Sequence, residues 1–199
     1  MERTRRPAGG AGAGGHGVFA ACGSLPPRTR GSVVADMVGV AHAAGLSAVL
    51  DCRGQALTAA LARRPALVKP NRAEAAETTG QDDPSDAASA LIDRGARAAL
   101  ISDGGSGLIL VTESGVRLRA RPGRLISGNP TGAGDALTAA ICAALDGVAG
   151  LPGDADWWAG ALAAGIGWSA AAVMQPTGGA IDPEDAARLT DAAVIEPLG

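Results

Sequence analysis

Three short apolar runs, Val18-Phe19-Ala20-Ala21, Ala48-Val49-Leu50 and Ala66-Leu67-Val68-Lys69, decide the fold class through what lies between them. After the first run the chain turns through Cys22-Gly23-Ser24-Leu25-Pro26-Pro27. Val33, Met37, Val40, Ala41 and Ala44 then recur at helical spacing, with Gly45 placed to end that helix. Asp51 closes the second run, a helix is expected over about 56–62, and Pro70 breaks the third run. Strand, helix, strand, helix, strand is the rhythm of a parallel sheet with right-handed crossovers, because each crossover needs a dozen or more residues. The class expected is α/β.

Working outward, residues 72–79 read as a turn, 85–94 as a helix and 98–102 as another short strand. Residues 108–112 and 116–120 form a hairpin around Glu113-Ser114-Gly115. Three helices follow, over 133–145, about 156–173 and 183–191, the last with Asp182 as N-cap and Pro183 at its first position. Trp157–Met174 carries no charge and reaches the lower length limit for crossing a bilayer, but it is mostly Ala and Gly, which favours a tightly packed buried helix. Residues 1–17 are Arg-rich, then Gly/Ala-rich, and read as a disordered leader. Gly10-Ala11-Gly12-Ala13-Gly14-Gly15 matches the dinucleotide fingerprint literally, but no strand precedes it, so that reading is rejected.

Composition narrows the partners. With a net charge of -3, the chain gives no electrostatic reason to expect nucleic acid or an anionic membrane. Three Trp, one Phe and no Tyr argue against a base-stacking surface. Small molecules are the expected partners. Cys22, Cys52 and Cys142 are widely separated and, with His16 and His42 isolated, give no His/Cys metal pattern; a reducing cytoplasm is the simplest setting. A single lysine, Lys69, stands among sixteen arginines, which makes its position worth following.

The strongest chemical signal is Gly128-Asn129-Pro130-Thr131-Gly132-Ala133-Gly134-Asp135-Ala136, followed at once by a helix-forming run. Small residues let backbone amides approach a ligand, and a helix N-terminus turns free N–H groups and partial positive charge toward an anion. Asp135 in the first turn is placed to take a proton from a hydroxyl held beside a phosphate, and equally to act as an ordinary helix cap. Lys69-Pro70-Asn71-Arg72-Ala73-Glu74 lies where a strand ends, at the sheet edge where α/β proteins bind ligands. The same residues read as a capping box of Asn71 and Glu74. Ser102-Asp103-Gly104-Gly105-Ser106-Gly107 follows a strand and fits a ligand loop or a Gly-rich turn.

Residues Asn129 to Asp135 resemble the C-terminal signature of the PfkB (ribokinase-like) carbohydrate kinases, and the Asn-Pro lead-in is similar to the 1-phosphofructokinase and tagatose-6-phosphate kinase branch. The resemblance implies a three-layer fold on a central, mostly parallel sheet. It implies ATP-dependent phosphorylation of a sugar or sugar phosphate. In it, Gly132, Ala133 and Gly134 form the anion hole and Asp135 is the general base. Lys69-Pro70-Asn71 with Glu74 resembles the family element in which Asn71 and Glu74 help hold Mg²⁺, largely through water, with Lys69 and Asn71 near the nucleotide. Ser102, Gly104 and Gly107 match the family's nucleotide loop, from which Asp103 departs. Gly23 and Ser24, in Gly23-Ser24-Leu25-Pro26, resemble a loop close to the sugar, with Asp51 a further candidate. Gln175 to Gly179 stands where relatives close the adenine pocket.

The resemblance covers about residues 18–189. It also implies that a family region bearing sheet strands and a lid over the sugar has no counterpart here, leaving the strand at Val18 with an exposed apolar edge. Three functions follow as expectations: a sugar-phosphate kinase, a catalytically silent nucleotide-binding remnant or subunit needing a partner, and an α/β module unrelated to nucleotides. Family members often pair through the lid, so a homodimer stays open.

Overall fold

The computed structural model describes residues 16–198; of the leader expected over 1–17, residues 1–15 with the Gly-rich run at 10–15 lie outside them, while His16 O and Gly17 O accept from Gly147 N and Ser47 N at 2.7 and 2.9 Å. Strand β1 (Val18–Cys22) leads to α1 (Ser32–Ala43), β2 (Ser47–Asp51), α2 (Gly54–Leu61) and β3 (Leu67–Val68). Next come α3 (Arg72–Thr79), α4 (Pro84–Asp93), β4 (Ala98–Ser102), β5 (Leu108–Thr112) and β6 (Arg117–Arg121). Helices α5 (Ala133–Leu145), α6 (Ala155–Met174) and α7 (Pro183–Asp191) precede a last strand, β7 (Val194–Pro197). The strands form one seven-stranded sheet in chain order, parallel from β1 to β4 and antiparallel from β4 to β7.

Alternation along the strands sorts the core into two layers. Leu50, Val68, Ala99 and Ile101 face α1 to α4, whereas Val49, Leu67, Leu100 and Leu110 face α5 and α6. Helix α7 packs on α6 through Ala186 and Leu189. This is an α/β three-layer fold. Helix α6 is the one described helix long and apolar enough to cross a membrane; here Trp158, Leu162 and Ile166 are buried against the sheet layer.

Two expectations need correction. Residues 72–79 are a helix, not a turn: Asn71 Oδ1 accepts from Glu74 N at 2.9 Å and Glu74 Oε2 accepts from Asn71 N at 3.0 Å, a reciprocal capping box that starts α3. Strand β7 was not expected, and it pairs with β6 through Leu118 to Arg121. Asp182 caps α7 as read, accepting from Glu184 N and Asp185 N at 2.9 and 3.0 Å.

Strand β1 is the sheet's edge and pairs only with β2 among the described residues. Beside it an almost wholly apolar groove of about 320 Å³ is lined by Phe19, Val33, Met37, Val40 and Leu46, with Val40 71% exposed.

Candidate active site

The carboxyl ends of β1 to β4 form one ledge. Gly23 N donates to Asp51 O at 2.8 Å, Lys69 N to Leu50 O at 2.8 Å, and Ser102 N to Pro70 O at 3.2 Å, so the loops that follow these strands are stitched side by side. Asn71 and Ser102 form a parallel bridge that continues the ladder past β3.

Above this ledge sits the start of α5. Gly132 is its N-cap at φ 86, the left-handed region open to glycine, and no side chain caps the helix. A Cβ on Gly132 would meet Gly179 N at 2.5 Å, so the Gln175–Gly179 loop lies hard against this turn. Asn129 Nδ2 also donates to Pro176 O at 3.3 Å. That loop braces the turn and does not line the neighbouring cavity. Ala133 N donates to Pro130 O at 3.2 Å and closes the turn, which leaves the N–H groups of Gly134 and Asp135 as the first of α5 open to a ligand.

Directly beneath lies a polar row. The pairing places Cys22 opposite Asp51 and, one step beyond Leu50 and Val68, Asp51 beside Lys69, all on the α5 side of the sheet. Lys69 is 4% exposed, and its Nζ lies 2.8 Å from Asp51 Oδ2 and 3.7 Å from where a Gly134 Cβ would be. Thr138 Oγ1, one turn into α5, is 3.1 Å from the same Asp51 oxygen. The buried ammonium thus adds positive charge under the first turn of the helix, and Asp51 compensates it.

Asp135 is exposed and lines a cavity of about 310 Å³ together with Ser24, Asp51, Cys52, Arg53 and Glu74. Gly23 also lines it. A second cavity of about 540 Å³ holds Asn71, Arg72, Ser102, Asp103 and Gly104. A third, about 430 Å³ and mostly apolar, is bounded by Gly104, Ile126, Pro130, Ala133, Ile166 and Val173. Gly104 joins the second to the third, and Ala133 brings the α5 turn into the third, so the expected nucleotide loop and anion turn face common space.

Two expected residues sit elsewhere. Lys69 is enclosed under α5 and lines none of these cavities. Gly107, at φ 96, packs where a Cβ would stand 2.0 Å from Ala120 O, a contact that shapes the β5–β6 hairpin. Asp103, the departure from the family loop, accepts from Arg72 Nη1 at 3.2 Å and ties the loop after β4 to α3. Sequence reasoning missed Arg53, Arg72 and Thr138. Thr138 alone carried a signal, as a polar residue on the otherwise apolar inner face of α5.

Thiol electrostatics mark the local field. Burial first, then the carboxylates of Asp51 and Asp135, raise the Cys22 thiol above its ordinary value, partly offset by Lys69. Burial, with Asp51 and Glu74 adding to it, pushes Cys52 to about 12. Among the described residues no group of three or more His, Cys, Asp or Glu side chains could hold a metal unaided. The Glu74 carboxylate on the Asp135 cavity is an oxygen donor of the kind taken by Mg²⁺, a hard cation that keeps most of its waters.

Comparison with known proteins agrees with this architecture. The family model described as pfkB family carbohydrate kinase matches residues 16–181. A 1-phosphofructokinase of Xanthomonas campestris pv. campestris is 41% identical over 132 residues, 62% of this chain and 41% of the relative. One from Haemophilus influenzae is 35% identical over 130 residues, 62% of this chain and 41% of the relative. The crystal structure of phosphofructokinase-2 from Escherichia coli in complex with potassium superposes with a TM-score of 0.74 at 24% identity, covering 87% of this chain and 56% of that one. The chain thus spans about two fifths of the length of the curated relatives it matches. A match over residues 16–181, on a three-layer fold with a helix N-terminus that no side chain caps above the sheet's carboxyl edge, makes this chain a member of the pfkB family of carbohydrate kinases.

Proposed function

We propose that this chain provides the nucleotide-binding and catalytic part of a kinase that transfers a phosphoryl group from ATP to a hydroxyl of a sugar phosphate. The observation that carries the reading is the position of Asp135. Its exposed carboxylate stands in the first turn of an uncapped helix, in one cavity with Ser24 and Glu74. The apolar cavity beyond Ala133 has the character a nucleobase needs, and Ser102 and Gly104 border the space leading to it.

In this reading Asp135 accepts the proton of the attacking hydroxyl, while the amides of Gly132 and Gly134, with that of Ala133 exchanging Pro130 O for the ligand, stabilise charge developing on the transferred group. Gly23 and Ser24 orient the acceptor. Lys69 acts from below, adding positive potential to the helix start while Asp51 and Thr138 hold it in place. Magnesium, when bound, supplies neutralisation of the phosphates; Asn71 and Glu74 are the residues to hold it. The capping box engages both, Asn71 through Oδ1 and Glu74 through Oε2; Glu74 keeps its Oε1 and borders the Asp135 cavity, which makes it the more available of the two.

The test is ADP release in the presence of fructose 1-phosphate or fructose 6-phosphate, comparing the chain with Asp135→Asn. Turnover falls by roughly 10² to 10⁴ while calorimetric ATP binding persists. Equal turnover in the variant removes Asp135 from the reaction.

One observation favours a second reading, a nucleotide-binding subunit that transfers phosphate only with a further polypeptide: the open edge of β1 and the apolar groove beside it. ATP binding without ADP release across a panel of hexose phosphates supports this alternative.

A further inference from the structure

Beside the Asp135 cavity lies a separate polar one of about 390 Å³, between the loop after β1 and the start of α2. Ser24, Thr29, Arg53 and Gln55 line it, with Gly54 and Ala56 bringing the first turn of α2 to its wall. The two cavities share Gly23, Ser24 and Arg53. Among the described residues Arg53 is the only cation bordering either, and it shares the lining of the Asp135 cavity with three carboxylates, Asp51, Glu74 and Asp135. Yet it pairs with no carboxylate among the described residues and is exposed. Its backbone is extended as the N-cap of α2, and no side chain caps that helix. An arginine placed at a boundary between two cavities, with its fork of donors unspent, suits a planar bidentate contact with phosphate or carboxylate.

We propose that this second cavity is the subsite for the anionic group of the acceptor, and that Arg53 is the residue that makes a phosphorylated sugar the preferred acceptor over a neutral one. The inference rests on the kinase reading and deepens it. A hydroxyl directed to Asp135 and a phosphate directed past Ser24 to Arg53 would belong to the two ends of one small molecule. Ser24 and Thr29 add hydroxyl donors, and the α2 amides add to the guanidinium. Glu77 borders the far wall from α3, where its negative charge opposes the ligand and limits affinity.

The experiment is titration calorimetry of the full chain with fructose 1-phosphate, fructose, inorganic phosphate and Mg-ATP in turn. Fructose 1-phosphate binds at least about tenfold more tightly than fructose, the worth of a charge-assisted contact. Arg53→Gln removes that advantage while leaving fructose and Mg-ATP affinities unchanged, and Arg53→Lys restores only part of it. Gln55→Glu, which puts a negative charge in the same cavity, also weakens fructose 1-phosphate, whereas Glu77→Gln strengthens it. Because Arg53 caps nothing with its side chain, thermal unfolding of Arg53→Gln matches that of the parent. Equal affinity for fructose and fructose 1-phosphate, no binding of the phosphorylated sugar, or an Arg53→Gln variant that retains the advantage each overturns the subsite. If Mg-ATP binds and Asp135→Asn still loses turnover, the kinase reading survives that result; if Mg-ATP fails to bind the parent chain, both readings fall.

Discussion

Lys69 Nζ and Asp51 Oδ2, 2.8 Å apart at the carboxyl ends of neighbouring parallel strands, form an ion pair immediately beneath the first turn of α5, with the lysine 4% and the carboxylate 20% exposed. Removing one partner of such a pair strands the other charge in a poorly solvated place. Asp51→Leu, which leaves the enclosed ammonium of Lys69 without a counter-charge, therefore costs about 3 kcal/mol of stability, read from the denaturant midpoint, and adding Lys69→Met recovers part of the loss. A single variant as stable as the parent shows that the pair contributes nothing.

Asn71 carries two duties that substitution separates. Asn71→Ala breaks the capping box and costs about 1 kcal/mol in thermal or denaturant unfolding. Asn71→Asp keeps an oxygen that accepts from Glu74 N, and so keeps stability. Any loss of Mg-ATP affinity in Asn71→Asp then reports on the ligand and not on the helix.

Gly132 has no room for a side chain. Gly132→Ala combines a left-handed backbone with a contact 2.5 Å from Gly179 N, and strain at such positions is worth about 1 to 3 kcal/mol. The expected outcome is a lower melting temperature together with weakened Mg-ATP binding, because the turn and its brace move as one. Retained affinity and an unchanged melting temperature contradict the tight turn.

Much of this arrangement is legible in the sequence, and the exceptions have physical causes. Helices α5 and α7 announce themselves by apolar periodicity and, for α7, by Asp182-Pro183. Helix α3 has only Ala75 and Thr79 buried, so no apolar stripe marks it; a capping box starts it instead. Strand β7 is four residues long, ends in Pro197 and is only partly covered, and its partner β6 is far away in the chain. In the site, the glycine-rich turn and the loops at 71 and 102 show as local motifs. The contacts between Thr138 and Asp51, 87 positions apart, and between Arg72 and Asp103, 31 apart, exist only through sheet register, which no local pattern reveals.

Cys22 offers a probe of the field around Asp135. With its thiol raised by burial and by Asp51 and Asp135, less thiolate is present at pH 8 than for a free cysteine, whose value is about 8.5. Iodoacetamide labels it slowly. Asp135→Asn takes away one carboxylate, lowers the thiol's value and speeds labelling, whereas Lys69→Met takes away the opposing cation and slows it further. Mass spectrometry of the Cys22 peptide over time follows both changes, and identical rates in all three proteins contradict the shared field.

The pairing of β6 with β7 bears on how the molecule is made. Residues 117–121 leave the ribosome long before 194–197, so through the synthesis of three intervening helices Leu118 and Ala120 belong to a strand with one bare side. Completion of the sheet waits on the last strand, and a nascent chain stalled before Val194 is a ready target for chaperones or for edge-to-edge association with its neighbours.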